Sequence, residues 1–297
     1  MKEPTLIDDI LAPGALCVCF QPIFELRQPA HRLHALEALT RGPRGTNVEP
    51  PQVLFEYVRR KREEVRVDRA CVGAALAALA PIAGDFGISV NVHAATLDRD
   101  RDFPGFLGDT AHEHGMRLSR LIVEIVEDAP FSGGPAFLKS LATLRDMGVH
   151  IALDDVGLGQ SNYRRILDCH PDYFKMDRYF VSASHADLRR QAVLESAAFL
   201  ARKLGAQVVA EGVEDVRDLR TLERVGIDLV QGYLLGRPAP VSQLVADGIL
   251  GHAPPGTAPG QACAPVARGS RPKNKKVPAA GTARSLGDAT ERRAHAC

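Results

Sequence analysis

Two hydrophobic periods alternate along this chain. Short runs rich in Val, Ile, Leu and Phe fall at 15–26, 33–39, 87–92, 121–126, 149–153, 172–176, 207–210 and 227–235. Apolar runs of that length, bounded by Gly, Pro, Asp or Asn, read as buried strands. Between most of them the apolar spacing lengthens to that of a helix. Residues 51–61 and 67–79 predict two consecutive helices, the second rich in alanine. After Pro135 the side chains of Phe137, Leu138, Leu141, Leu144 and Met147 share one helical face, and Gly148 supplies the stop. Residues 187–204 predict a long amphipathic helix closed by Gly205, and Val216, Leu219, Leu222 and Val225 form another stripe before Gly226.

Eight strands alternating with helices over about 235 residues predict an α/β fold, a closed (βα)₈ barrel of the TIM type rather than an open sheet. In that architecture active sites gather at the carboxyl ends of the strands. After about residue 248 the composition turns to Ala, Pro, Gly, Ser and Lys, with few large aliphatics. The expected organisation is therefore one barrel domain, 1–250, and a disordered basic tail, 251–297, that cannot bury a core.

Charge sharpens this division. The 297 residues carry a formal net charge of +1, yet eight of the 37 basic and only two of the 36 acidic residues lie beyond Leu250. The remaining 29 basic and 34 acidic residues give the body a net charge of −5. Cys17, Cys19, Cys71, Cys169, Cys263 and Cys297 lack the spacing of a disulfide scaffold or a zinc site, so reduced thiols in a cytoplasmic protein are expected. The apolar segment 11–20 is preceded by Glu3, Asp8 and Asp9 and broken by Pro13-Gly14, unlike a signal peptide. No run approaches the roughly 20 apolar residues of a membrane span.

The chemistry stands at the strand ends. The run 149–153 opens into Asp154-Asp155-Val156-Gly157, two adjacent carboxylates at a glycine turn. Glu37, Asn91 and Glu124 end the second, third and fourth runs, Lys175 the sixth, Glu211 the seventh, and Gln231 lies in the eighth. Acids converging on one barrel mouth need neutralising. A donor set of oxygens suits Mg²⁺ or Mn²⁺ rather than zinc, and so many acids suggest two ions sharing a carboxylate. Paired divalent ions serve in-line displacement at phosphorus. Lys175 would be the lone cation there, placed to orient water or offset transition-state charge.

These residues resemble the EAL domain family. Glu37-Ala38-Leu39-Thr40-Arg41 is the signature from which the family takes its name. Gln21-Pro22-Ile23, Asn91, Glu124-Ile125-Val126-Glu127, Asp154-Asp155-Val156-Gly157, Lys175-Met176-Asp177, Glu211-Gly212-Val213-Glu214 and Gln231-Gly232-Tyr233 follow in the family's order, covering roughly residues 7–248. The resemblance implies a barrel whose first strand runs antiparallel, and a phosphodiesterase that opens cyclic di-GMP to linear pGpG. It implies that Glu37, Asn91, Glu124, Asp154, Asp155 and Glu211 hold two Mg²⁺ or Mn²⁺ ions. Lys175 and Gln231 would address the catalytic water, with Glu211 a candidate base. Gln21, Leu39, Arg41 and Pro238 would contact the dinucleotide, Arg41 through a guanidinium fork suited to a phosphodiester. Glu127 and Glu214 would anchor the ligands rather than bind metal. A homodimer and a bacterial origin follow from the same resemblance.

The chain departs from the family at the loop after the two aspartates, which commonly reads D-D-F-G-T-G-Y-S-S. Here it is Asp154-Asp155-Val156-Gly157-Leu158-Gly159-Gln160-Ser161-Asn162. Val126 replaces a common Thr and His93 a common Ser. Slow or tightly regulated catalysis is expected; the alternative is a non-catalytic cyclic di-GMP receptor that signals through a protein partner. With few residues before position 7, regulation is expected to act through oligomerisation, the tail or a separate protein regulator. Other signals carry less. Gly157-x-Gly159 lacks a third glycine and sits beside two acids that would repel a pyrophosphate. His112-Glu113-His114 lacks the i, i+4 spacing of a zinc helix. The tail has basic residues but no aromatics for stacking, so no nucleic-acid partner is expected.

Overall fold

The computed structural model describes residues 5–27, 32–82, 84–126, 133–158 and 163–251. Tail residues 252–297, Glu127 and the 159–162 part of the loop after the aspartates lie outside the described residues. Eight strands form a closed barrel in sequence order: β1 Cys17–Glu25, β2 Leu33–Arg41, β3 Gly87–His93, β4 Leu121–Val126, β5 His150–Leu153, β6 Tyr173–Met176, β7 Gln207–Ala210 and β8 Leu229–Val230. Strands β2 to β8 pair in parallel, whereas β1 runs antiparallel to both its neighbours, β2 and β8. The closed α/β barrel and its reversed first strand thus match the expectation.

Helices clothe the barrel: α1 Leu6–Ile10, α2 Pro51–Lys61, α3 Glu64–Leu79, α4 Ala94–Arg99, α5 Phe103–Glu113, α6 Pro135–Asp146, α7 Tyr163–Cys169, α8 Arg178–Val181, α9 Leu188–Leu204, α10 Val216–Val225 and α11 Val241–Ala246. Their starts and stops follow local chemistry. Asp187 and Asp215 accept backbone N–H bonds at the first turns of α9 and α10, and Gly205 and Gly226 end those helices in the left-handed conformation. α1 is stabilised by a reciprocal capping box between Thr5 and Asp8 and buries Ile7 and Ile10 among Leu54, Val58 and Val67 of α2 and α3. None of the described helices is long and apolar enough to cross a membrane.

β8 is far shorter than the apolar run 227–235 suggests. The backbone of Gly232 passes so close to Val213 that an added Cβ would lie 2.2 Å from its N and O atoms. The chain therefore leaves the ladder there and turns. Apolar side chains pointing outward from the strands pack beneath the helices in two large clusters. Inside the barrel a separate layer is built from Ile23, Ala35, Ile122, Ala152, Tyr173, Val209 and Leu229, seven residues from seven strands. That layer is the floor on which the polar mouth rests.

Candidate active site

Strand periodicity places the mouth. Side chains two residues apart share a face, so on each parallel strand the residue two beyond the floor layer also points inward. Ala35 is followed by Glu37, Ile122 by Glu124, Ala152 by Asp154, Tyr173 by Lys175, Val209 by Glu211 and Leu229 by Gln231. On β3 the corresponding pair is Ser89 and Asn91. Because β1 is reversed, its contribution, Gln21, comes two residues before Ile23 rather than after it.

Lys175 is the hub. Its side chain is 4% exposed, and its ammonium touches Glu124 Oε1, Glu211 Oε1 at 2.7 Å, Glu37 Oε2 at 3.4 Å and Asp154 Oδ1 at 3.8 Å. The Glu211 contact is an ion pair whose angle falls outside hydrogen-bond geometry. Ser89 Oγ donates to the other oxygen of Glu124 at 3.0 Å. Gln231 Nε2 donates to Glu37 Oε2 at 2.7 Å and to Gln21 Oε1 at 3.2 Å, and Gln21 in turn donates to the carbonyl of Gly236. Asn91 Nδ2 donates to Glu37 Oε1 and to the carbonyl of Ala38, both at 3.3 Å.

The turn after β5 is held to the same centre. Asp155 and Gly157 both have positive φ, +51° and +93°, and Asp154 Oδ1 accepts the N–H of Asp155 at 2.9 Å. The N–H of Val156 donates to the carbonyl of Lys175 at 3.0 Å, so the loop is pinned to the residue that carries the ammonium. Val156 itself is buried with Phe174 and Met176.

Four carboxylates around one ammonium leave an excess of negative charge. Burial and repulsion from Glu37 push Glu124 well above the carboxylate range. Burial raises Glu211 to about 8 against the pull of Lys175. Burial and the neighbouring Asp154 raise Asp155 to about 6. Glu37 goes the other way: burial opposes its charge, but Lys175, Gln231 and Asn91 outweigh that and keep it ionised. Burial also disfavours the ammonium of Lys175, yet the surrounding acids, Glu124 foremost, hold it protonated. A site that forces protons onto its own acids gains by exchanging them for cations.

The donor set fits hard divalent ions. Oxygens of Glu37, Glu124 and Glu211 lie within 4.8 Å of one another. Gln231 Oε1 is buried without a hydrogen-bond partner among the described residues, an acceptor that a cation or water would satisfy. Asn91 spends its N–H groups on Glu37 and Ala38, which leaves its oxygen as the group it can offer. All these donors are oxygen atoms, the preference of Mg²⁺, Mn²⁺ or Ca²⁺.

Other residues singled out in the sequence take varied positions. Leu39 lines both cavities at the mouth, and Gln21 lines the smaller. Arg41 and Pro238 line neither. Asp155 stands at the edge of the larger cavity. Glu214 lines the smaller, 3.9 Å from the guanidinium of Arg178. Sequence reasoning did not find Ser89, because a lone serine in an apolar strand carries no signal until its inward register is known. Nor did it find Asp68, whose carboxylate binds His93 from α3.

Fold and mouth together define a TIM-type barrel whose carboxyl end gathers acids and amides around a buried lysine. The chain belongs to the EAL domain family, which matches residues 7–238. It is 33% identical over 162 residues to the cyclic di-GMP phosphodiesterase RocR of Pseudomonas aeruginosa, covering 54% of this chain and 41% of RocR. It resembles the PaMucR phosphodiesterase solved with c-di-GMP, with a TM-score of 0.68 and 27% identity over 77% of this chain and 99% of that one. Klebsiella pneumoniae BlrP1, solved with manganese and cyclic di-GMP, gives a TM-score of 0.69 and 29% identity over 77% of this chain and 57% of that one. The chain spans between a fifth and about two fifths of the length of the curated relatives it matches.

Proposed function

We propose that this protein hydrolyses cyclic di-GMP to linear pGpG, using two Mg²⁺ or Mn²⁺ ions held by Glu37, Asn91, Glu124, Asp154, Asp155 and Glu211. The observation that carries this reading is the cluster of Glu37, Glu124, Asp154 and Glu211 around Lys175, with Gln231 bonded to Glu37. It is supported by the phosphodiesterase names of relatives and by c-di-GMP in solved EAL structures. Homodimerisation and a protein regulator belong to the same reading.

Bound divalent ions would supply charge neutralisation of the phosphodiester and acidification of water. The chain's own groups do the rest. Water adds to phosphorus as the P–O3′ bond breaks, one proton passing to the departing 3′-oxygen and the other leaving the nucleophile. Glu211, whose carboxylate lies at the mouth 2.7 Å from the Lys175 ammonium, is the group placed to receive the nucleophile's proton. Gln231 presents an unsatisfied Oε1 to orient that water. Lys175 offsets negative charge on the five-coordinate transition state from the floor of the mouth.

The test is chromatographic. The full chain with cyclic di-GMP and Mn²⁺ or Mg²⁺ should yield pGpG, and Lys175→Ala or Glu37→Ala should abolish it. Tight binding without product would identify a receptor instead.

A further inference from the structure

The floor layer that supports the acid cluster also roofs a separate cavity of about 280 Å³ at the amino-terminal end of the barrel. Ile122 and Tyr173 belong to that floor and line the cavity. Its sides come from the strand starts, His34 of β2, Gly87 of β3 and His150 of β5, with Glu25 from the end of the reversed β1. The ring of Tyr173 is held edge-on by the rings of His34 and His150, at 5.5 and 6.0 Å between centroids. Tyr173 and His34 also line a void of about 10 Å³ together with Glu124 and Lys175 of the mouth. That void has room for one water at most, so no ligand spans the two ends.

The charged groups of this cavity are unevenly matched. Asp85 is held by Arg117 at 2.9 Å and by Arg32 at 3.8 Å. Glu25 lies 3.8 Å from His34 Nδ1, and the other ring nitrogen of His34 is 3.1 Å from the hydroxyl of Tyr173. His150 faces Asp172 at 3.7 Å. Arg120 is the exception: it lines the cavity, half-buried, with no ion-pair partner among the described residues. Its Nε donates to the carbonyl of Phe86 at 2.8 Å, and its guanidinium lies 4.9 Å from the centre of the Phe86 ring. Burial works against the charge of Arg120, and so does the neighbouring Arg117, while Asp85 only partly offsets them. An arginine does not shed its proton, so what this corner lacks is a negative charge.

With Nε engaged, the edge formed by Nη1 and Nη2 remains, and that edge takes a carboxylate through two parallel N–H···O bonds. A phosphate monoester also fits a guanidinium fork, but its second charge would meet Glu25 and Asp85 on the same walls. One negative charge is what the lining balances. Leu33, Phe86, Ile122 and Tyr173 supply aliphatic and ring surface for the rest of the ligand, with the hydroxyl of Ser119 at the rim. A volume just under the roughly 300 Å³ at which small-molecule sites begin suits a compact body. We propose that this cavity is a second ligand site, for a small monocarboxylate with an apolar body, its carboxylate seated on Arg120. The site is independent of the activity at the mouth, from which the floor layer divides it.

The experiment titrates benzoate, the probe carboxylate, and benzamide, its neutral isostere, into the full chain in EDTA and follows the ligand signals by NMR. Without cations the acids of the mouth repel benzoate, so saturable binding reports on the other end of the barrel. A ligand of this size should bind with a Kd of about 1 mM. Benzamide should bind about tenfold more weakly, and Arg120→Met should weaken benzoate about tenfold while leaving benzamide unchanged. The proposal is overturned by equal affinity for the two probes, by no saturation with benzoate up to about 50 mM, or by an Arg120→Met variant that melts normally and binds benzoate as before. Should Arg120→Met fail to fold, Ser119→Phe decides: its ring at the exposed rim should close the cavity to benzoate, and an unchanged Kd overturns the assignment. Loss of the proposed hydrolysis would leave these readings as they are, since none of them depends on cyclic di-GMP.

Discussion

Gln231 and Glu37, 194 positions apart in the chain and borne by the two strands that flank β1, Gln231 just past the end of β8, meet at the barrel mouth with Gln231 Nε2 donating to Glu37 Oε2 at 2.7 Å. The bond fixes both ends of the amide. With Nε2 shared between Glu37 and Gln21, the oxygen of Gln231 must face the site, where it has no partner among the described residues. Gln231→Glu would put a fifth carboxylate against Glu37 where an amide N–H now donates. We expect this variant to lose at least 100-fold in turnover, about 2.7 kcal/mol, and to require more Mn²⁺ for half-maximal rate. Kinetics across a Mn²⁺ titration check it; a wild-type rate would show that the amide hydrogens are dispensable.

Lys175 gives the second prediction. Its ammonium is the cation shared by Glu37, Glu124, Asp154 and Glu211, and removing one partner from a buried charge network costs about 3–5 kcal/mol. Lys175→Met should therefore lower the melting temperature in EDTA and recover part of that loss when Mn²⁺ is added, while catalysis stays absent. A melting temperature equal to wild type in EDTA would mean that the acids relax by protonation alone.

Divalent ions themselves should stabilise the fold. A ligand at 100 times its Kd adds about 2.7 kcal/mol, which for a barrel of this size is a rise of roughly 5–10 °C in melting temperature. We expect that rise with Mg²⁺ or Mn²⁺, its reversal by EDTA, and its loss in Glu124→Gln, which removes a buried carboxylate oxygen from the cluster. Equal shifts in Glu124→Gln and wild type would locate the binding elsewhere.

Much of this mouth could be read from the sequence because one rule generates it: an apolar residue in the floor layer, then a polar one two positions on. Glu37, Glu124, Lys175 and Glu211 all stand out in this way at the ends of apolar runs. Gln21 did not, since the rule runs backwards on an antiparallel strand, and the reversal itself came from family resemblance rather than from any pattern of residues. The length of β8 was misjudged because the contact that ends it, Gly232 against Val213, joins segments whose proximity exists only in the closed barrel. Asp68, the partner of His93, was hidden for a similar reason: a helix-borne acid 25 residues from its partner has no periodic signature.

The loop after Asp155 yields a prediction about packing. Val156 is 7% exposed and sits with Leu153, Phe174 and Met176, and the neighbouring Gly157 lies against the ring of Phe180. Restoring the phenylalanine common in the family adds volume to a filled space, and overpacking costs about 1–3 kcal/mol. Val156→Phe should lower the melting temperature by several degrees, whereas Leu158→Thr, at a partly exposed position, should leave it nearly unchanged. If Val156→Phe instead melts at or above wild type, the pocket around Val156 has room that the native side chain does not fill.

At the opposite end of the barrel, His150 and Asp172 form a pair at 3.7 Å, each about 42% exposed. The carboxylate of Asp172 raises the imidazole above its usual 6.5. Burial opposes the charge of Asp172, but the nearby imidazole of His150 and the hydrogen bond from the N–H of Ile151 bring its carboxyl below 3.8. The histidine's contribution to stability is complete below pH 6.5 and is lost as pH rises through its folded value. The aspartate's is complete above pH 3.8 and is lost as pH falls through its own. The two windows overlap in mildly acidic solution, where the pair is fully charged. His150→Phe should therefore differ from wild type most near pH 5, by less than about 1 kcal/mol because solvent screens so exposed a pair, with the difference shrinking above pH 8. Urea midpoints at pH 5 and pH 8.5 measure it, and an equal gap at both would show that packing against Tyr173, rather than charge, is what His150 contributes.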